Sequence, residues 1–216
     1  MKTKKLVITA LLLAIGTLLS FIQIIRLPFG GSVTLASMVP VVLIAYIYGT
    51  KWGIFSAFVY SILQIFCGMG TVSAFFMPGE SQMVFWAALC VCVIDYLLAY
   101  TMLGFGGVFK GKLKNSSLEI SLGSVLALLL RYIMHIISGA VFFGSWAGWF
   151  FGEDSGLSQI AVFRDFCTLV LKTFDGAEIA VLYSVIYNGS YMIPEIIITL
   201  LISPIVYKAL KHSQKI

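Results

Sequence analysis

The sequence predicts an all-α, polytopic membrane protein of six transmembrane helices with both termini cytoplasmic, and three observations carry that prediction. Of its 216 residues 60% are hydrophobic and only 11% charged, a balance that fits no soluble class. Apolar windows of about 20 residues, enough to cross about 30 Å of hydrocarbon as a helix, recur at about 6–25, 33–49, 52–69, 83–105, 118–145 and 178–207. Positive charge alternates with these windows as cytoplasmic retention requires. With the N-terminus inside, Lys2, Lys4, Lys5, Lys51, Lys110, Lys112, Lys114, Lys208, Lys211 and Lys215 fall on the cytoplasmic side. Arg26, Arg164 and Lys172 fall outside, together with Glu80, Glu153, Asp154, Asp165, Asp175 and Glu178. The net charge of +5 is therefore an orientation signal and gives little weight to nucleic-acid binding.

The elements follow in order along one membrane domain, 1–216. Met1-Lys-Thr-Lys-Lys before an apolar stretch resembles a secretory signal, but no small-x-small cleavage site follows, so an uncleaved first helix is expected. On it Ala10 and Ala14, four residues apart, allow another helix to approach closely. The first external turn, Arg26-Leu-Pro-Phe-Gly-Gly-Ser-Val, combines Pro28 with Gly30 and Gly31; an ordinary interhelical turn and a backbone lying against a ligand both explain it. The second window is short and contains Pro40, which predicts a kink or a partial crossing. In the fourth, Cys90 and Cys92 are too close in sequence for a disulfide staple or a zinc pair. Cys67 and Cys167 both lie toward the outer side, where pairing and burial as small apolar thiols are both open. The fifth and sixth windows are long enough to tilt or to project beyond the bilayer. Between them, 146–177 carries Trp146, Trp149, Phe150, Phe151 and Phe163 among its acids. A loop of that length is commonly functional. An amphipathic helix is expected near 157–174, and a lid over an outward-facing pocket and an interfacial aromatic belt both account for the segment.

Asp95, Arg131, His135 and Asn188 interrupt otherwise apolar windows. An ionisable group at membrane depth costs about 2.5 to 3.5 kcal/mol or more, so each needs a partner or a ligand. Arg131 and His135 share one helix face, with Tyr132 beside them. Tyr183, Tyr187 and Tyr191 form an i, i+4, i+8 stripe adjoining Asn188, and Tyr96 neighbours Asp95. A carboxylate, an imidazole, an amide and several aromatic faces suit a flat, hydrogen-bonding heteroaromatic ligand, including a cationic one. Against this stand an Asp95–Arg131 ion pair, an interior histidine and a tyrosine packing stripe, each purely structural.

Catalysis has less support. His212 lies in the cytoplasmic tail, which leaves His135 without a second clustered histidine for zinc, and neither H-E-x-x-H nor G-x-S-x-G occurs. Gly106 to Leu113 nearly reproduces a phosphate-binding loop, but Leu113 replaces the magnesium-binding hydroxyl and no strand precedes it.

Four stretches in order resemble the thiamine-specific substrate-binding (S) component of energy-coupling factor transporters. They are Phe29-Gly-Gly-Ser-Val-Thr-Leu, Asp95-Tyr-Leu-Leu-Ala-Tyr, Arg131-Tyr-Ile-Met-His-Ile-Ile-Ser-Gly-Ala-Val-Phe-Phe-Gly-Ser, and Tyr183-Ser-Val-Ile-Tyr-Asn-Gly-Ser-Tyr-Met-Ile-Pro. The resemblance implies a six-helix protein of a prokaryotic cell membrane that captures thiamine at its extracytoplasmic face. It would bind no cofactor itself and would work with a transmembrane coupling subunit and two ATPases that use ATP. It further implies ligand contacts by Asp95, Tyr96, His135, Tyr183 and Asn188, with Phe143 where some members stack a tryptophan, and coupling-subunit contact by Ala10 and Ala14. Some members carry Glu at the Asp95 position. Tryptophans that the family places in the first external loop and third-helix region have no counterpart here; Trp146 and Trp149 are the outer candidates, and 146–177 resembles an insertion. Arg131 is expected to support the site by orienting Asp95. A proton-coupled stand-alone carrier and an intramembrane enzyme using Asp95 and His135 are the competing readings.

Overall fold

The computed structural model describes residues 2–27, 30–79, 81–153 and 156–213. Pro28 and Phe29 of the first turn, the acids Glu80 and Asp154, and Lys215 lie outside the described residues. The chain begins with α1 (Lys2–Ser20), then β1 (Gln23–Arg26) and β2 (Ser32–Thr34), α2 (Val39–Tyr48), α3 (Thr50–Cys67) and the short α4 (Met69–Ala74). A continuous rod follows, made of α5 (Phe85–Val91), a π-helical segment (Cys92–Leu98), α6 (Ala99–Thr101) and a 3-10 turn (Met102–Gly107). The remaining helices are α7 (Ser116–Phe142), α8 (Ala147–Phe151), α9 (Arg164–Thr173) and α10 (Gly176–His212).

Among the described residues five helices are long and apolar enough to cross a membrane: Thr3–Ser20, Thr50–Cys67, Phe85–Gly107, Ser116–Phe142 and Gly176–His212. The second predicted window differs. Its helix α2 has 10 residues, about 15 Å of rise, and eight of them are buried. The missing length has gone into the hairpin, whose antiparallel register pairs Gln23 with Thr34, Ile25 with Val33 and Arg26 with Ser32 around a bulge. Pro40 does not kink α2. It sits in the first helical turn, where a missing N–H has no intrahelical acceptor to lose and the fixed φ suits the helix start.

Charge and capping explain the ends. Asn115 accepts from the backbone N–H groups of Ser117 and Leu118 at 2.9 and 3.4 Å and so starts α7. Lys5 lies over the Trp52 ring at 3.9 Å, and Lys110 donates to the Ile47 carbonyl at 2.5 Å, which brings basic residues from two distant parts of the chain to one end of the bundle. At that end the helices almost touch. A Cβ on Gly104 would collide with the Ile54 backbone, one on Gly107 with the Ala45 carbonyl, and one on Gly123 with the Gly106 carbonyl. This seam joins α2, α3, α7 and the 3-10 turn.

All four cysteines are unpaired. Cys167 is buried and Cys67 half-buried, whereas Cys90 is exposed on the outside of its rod rather than packed within. The amphipathic helix expected near 157–174 forms over a shorter range as α9, preceded by 3-10 turns at Gly156–Gln159 and Ala161–Phe163.

Candidate functional site

At the other end of the bundle from the glycine seam, the rod, α7, α10 and the hairpin turn surround one cavity. Its wall includes Asp95, Tyr96, His135, Phe143, Tyr183 and Asn188, six residues singled out from sequence. Asp95 and Tyr96 come from the π-helical segment, a wide turn that is frequent at functional sites because it breaks the regular ladder. His135 is presented by α7, and Tyr183, Tyr187, Asn188 and Tyr191 by α10. Two close approaches set this geometry. A Cβ on Gly139 would collide with the Ser184 hydroxyl, so α7 and α10 cross tightly beside the cavity, and a Cβ on Gly31 would lie 2.6 Å from the Tyr191 ring, so the hairpin tip rests on the stripe.

The carboxylate of Asp95 is fixed at both oxygens. Oδ1 lies 2.8 Å from His135 Nδ1, and Oδ2 accepts from Ser138 Oγ at 2.6 Å. His135 and Ser138 stand three apart on α7, so one helix face supplies both donors. Arg131 Nε donates to His135 Nε2 at 3.2 Å. A guanidinium can only donate, so Nε2 is the imidazole acceptor and the ring proton sits on Nδ1, directed to Asp95. Arg131 therefore does not pair with Asp95 directly, as the ion-pair reading required. It acts through His135, while its Nη1 lies 2.8 Å from the Met38 sulfur and its guanidinium carbon sits 4.0 Å from the centre of the Tyr100 ring. Asp95 keeps 19% of its side chain exposed. Its remaining lone pairs are available to a guest, since an ionised carboxylate offers about four acceptor sites.

Asn188 has a more structural role than its position in sequence suggested. Its Nδ2 donates to the His135 carbonyl and to Ser184 at 2.9 to 3.2 Å, and its Oδ1 accepts from Tyr191 Oη at 2.7 Å. One acceptor site on Oδ1 remains. Tyr183 stacks at a tilt on Tyr187, centroids 5.7 Å apart, and Phe150 from α8 meets Tyr183 edge-on at 5.2 Å. The outer segment thus covers the stripe on one side. Phe143 caps α7 and packs edge-on with Phe75 at 6.0 Å, which places it on the ridge between the cavity and a neighbouring recess. Trp146 lies in that recess, with Ser81, Gln82 and Met83, and not in the wall of the cavity.

Several site residues were not picked out from sequence. Tyr100 and Ser138 carried no signal beyond their spacing from Asp95 and His135. Glu195 was missed altogether. Fully buried on α10, it accepts from the Thr34 backbone N–H at 2.5 Å and from Thr34 Oγ1 at 2.7 Å, and so clamps the hairpin to the bundle. Its second oxygen has no hydrogen-bond partner among the described residues. The signal was present as the one acid in the last apolar window beyond its first residue, Glu178.

The sequence model of a family described as "Thiamine transporter protein (Thia_YuaJ)" matches residues 6–149. The chain belongs to this thiamine transporter family. It is similar to the thiamine transporter ThiT of Bacillus subtilis (strain 168), with 25% identity over 205 residues, covering 90% of this chain and 85% of that protein. In fold it is similar to a solved structure of ThiT from Listeria monocytogenes, with a TM-score of 0.65 at 20% identity over 96% of this chain and 95% of that one. The family match contains Ala10, Ala14, Asp95, Tyr96, His135, Phe143 and Trp146, and ends before Tyr183 and Asn188.

Proposed function

We propose that this member of the thiamine transporter family is the substrate-binding (S) component of an energy-coupling factor transporter, binding thiamine with high affinity in the Asp95 cavity. The observation that carries this is the Asp95 carboxylate, oriented by His135 and Ser138 inside a wall of tyrosines. Thiamine joins an aminopyrimidine to a cationic thiazolium ring. Aromatic faces attract such a cation, and a preset carboxylate adds a charge-assisted hydrogen bond or charge complementarity. Membership of a family of transporters also argues for binding without chemical change, so no enzymatic step and no cofactor is assigned to the chain.

In this reading α2 serves as a short sixth crossing, both termini and the lysine-rich end are cytoplasmic, and the protein is a multi-pass component of a prokaryotic plasma membrane. The cavity then faces outward. A coupling subunit would dock on the exposed small residues Ala10 and Ala14 of α1, and two partner ATPases would supply ATP hydrolysis.

Isothermal titration of purified protein with thiamine tests the site. Asp95→Ala and His135→Ala should each weaken binding more than tenfold, because a buried hydrogen bond to a charged group contributes about 1.5 to 3 kcal/mol. Unchanged affinity in both variants sinks the assignment. Uptake by vesicles holding this chain alone, driven by a pH gradient, would instead favour a proton-coupled carrier.

A further inference from the structure

Helix α9 has three faces. Cys167 and Val170 are buried in the same apolar core as Phe151 and Tyr183. At about 100° per residue, Arg164, Asp165, Thr168 and Lys172 fall together on a second, charged sector. Val162, just before the helix, and Phe166 and Leu169 on it recur at spacings of four and three and form a third sector, exposed by 85%, 40% and 62%. A purely water-facing helix would carry polar residues there. An exposed apolar stripe running parallel to a charged sector is the pattern of a helix lying in the plane of a membrane interface.

Helix α9 ends at Thr173 and the long apolar helix α10 begins at Gly176, so the stripe lies next to a helix able to cross a membrane. Phe174, between them, lines a shallow groove with Ala177, Glu178, Val181, Leu182 and Val185. Arg164 and Lys172 share the charged sector beside the stripe with Asp165, and the two cations suit the phosphates of anionic headgroups.

We propose that α9 is an interfacial helix, with Val162, Phe166 and Leu169 embedded at the headgroup–acyl boundary of the leaflet nearest the cavity. Phe166 meets Phe151 with centroids 6.4 Å apart, and the neighbouring Phe150 covers Tyr183. The bilayer thereby becomes part of the support for the cavity's aromatic cover.

Depth-resolved spin labelling tests this in the full-length protein. Cys67, Cys90 and Cys92 are replaced by alanine, while Cys167 stays, because burial pushes its thiol up and keeps the reactive thiolate scarce at neutral pH. Val162→Cys, Leu169→Cys, Thr168→Cys and Lys172→Cys are then labelled singly and placed in nanodiscs of phosphatidylcholine and phosphatidylglycerol. Labels at positions 162 and 169 should be relaxed severalfold more by oxygen, which concentrates in lipid, than by a water-soluble nickel chelate, with the ratio reversed at 168 and 172. Equal nickel access at all four positions overturns the proposal. So does dipolar broadening at position 169 that disappears on dilution with unlabelled protein, since the stripe would then belong to a second copy. Thiamine titration of the same samples reports separately on the cavity, so lost binding with the depth pattern intact counts against the proposed function alone.

Discussion

The two ends of this bundle share α7 and the rod but are packed in different ways. At the lysine-bearing end, α2, α3, α7 and the 3-10 turn meet through glycine, and backbone lies on backbone. Several polar groups there pair with one another, although the buried Ser56 and Thr199 hydroxyls have no hydrogen-bond partner among the described residues. Tyr46 Oη donates to Glu119 at 2.6 Å, Glu119 also accepts from the Leu113 N–H at 2.8 Å, and Ser124 meets Ser203 at 2.9 Å. At the cavity end the rod, α7 and α10 line an open space with large aromatic side chains, with close approach at Gly31 and Gly139, and Asp95 and Asn188 retain acceptor capacity. Tight packing at one end lets the other stay open without the bundle collapsing. Glu195 stands between the two on α10 and pins the hairpin that floors one side of the cavity.

This division can be broken from either side. The largest effect is expected for Gly123→Leu, which drives a side chain into the Gly106 carbonyl where no flexible neighbour can yield. Overpacking costs typically about 1 to 3 kcal/mol, and more against backbone, so the variant should fail to give monodisperse folded protein in size-exclusion chromatography. Asp95→Ala should fold normally by that assay while losing thiamine. Glu195→Ala comes next. It leaves the Thr34 N–H buried without an acceptor, at a cost of about 1 to 3 kcal/mol, and should lower the melting temperature in detergent by several degrees. Glu195→Gln keeps an acceptor oxygen and should recover most of the loss. The smallest effect is expected for Ser138→Ala, which removes one of two donors from Asp95. A hydrogen bond to a charged group contributes about 1.5 to 3 kcal/mol, but Asp95 keeps its His135 partner and a part-exposed edge, so thiamine affinity should fall only a few-fold in titration calorimetry.

The apolar windows made most helices readable, because hydropathy over about 20 residues is a strong signal. They misled at 33–49, where Val33 and Thr34 at the start of the window belong to strand β2 and the helix begins only at Val39. The tyrosine stripe was readable from its spacing and Asp95, Tyr96 and His135 from their place in apolar windows, whereas Phe143 was picked out through the family resemblance alone. Of the readings open for Arg131, the direct ion pair with Asp95 does not form; Arg131 reaches the carboxylate through His135, and only three-dimensional placement shows that ring interposed. Glu195 escaped because its partner, Thr34, is 161 residues away in the chain. Trp146 shares the outer face with the cavity, but the turn after Phe143 swings it into the adjoining recess.

The π-helical segment solves a problem of phase. Val91, Asp95, Tyr96 and Tyr100 all line the cavity. In a regular α-helix nine residues at about 100° each would leave Val91 and Tyr100 on opposite sides of the rod. The wider turn over Cys92–Leu98 advances each residue through a smaller angle and brings both ends back to one wall. It also decouples the two ends of the rod, so that Gly104 and Gly107 can face the seam while Asp95 faces the ligand. The rod works as a vernier, and removing a single residue within it would rotate the carboxylate out of alignment while leaving composition and hydropathy almost untouched.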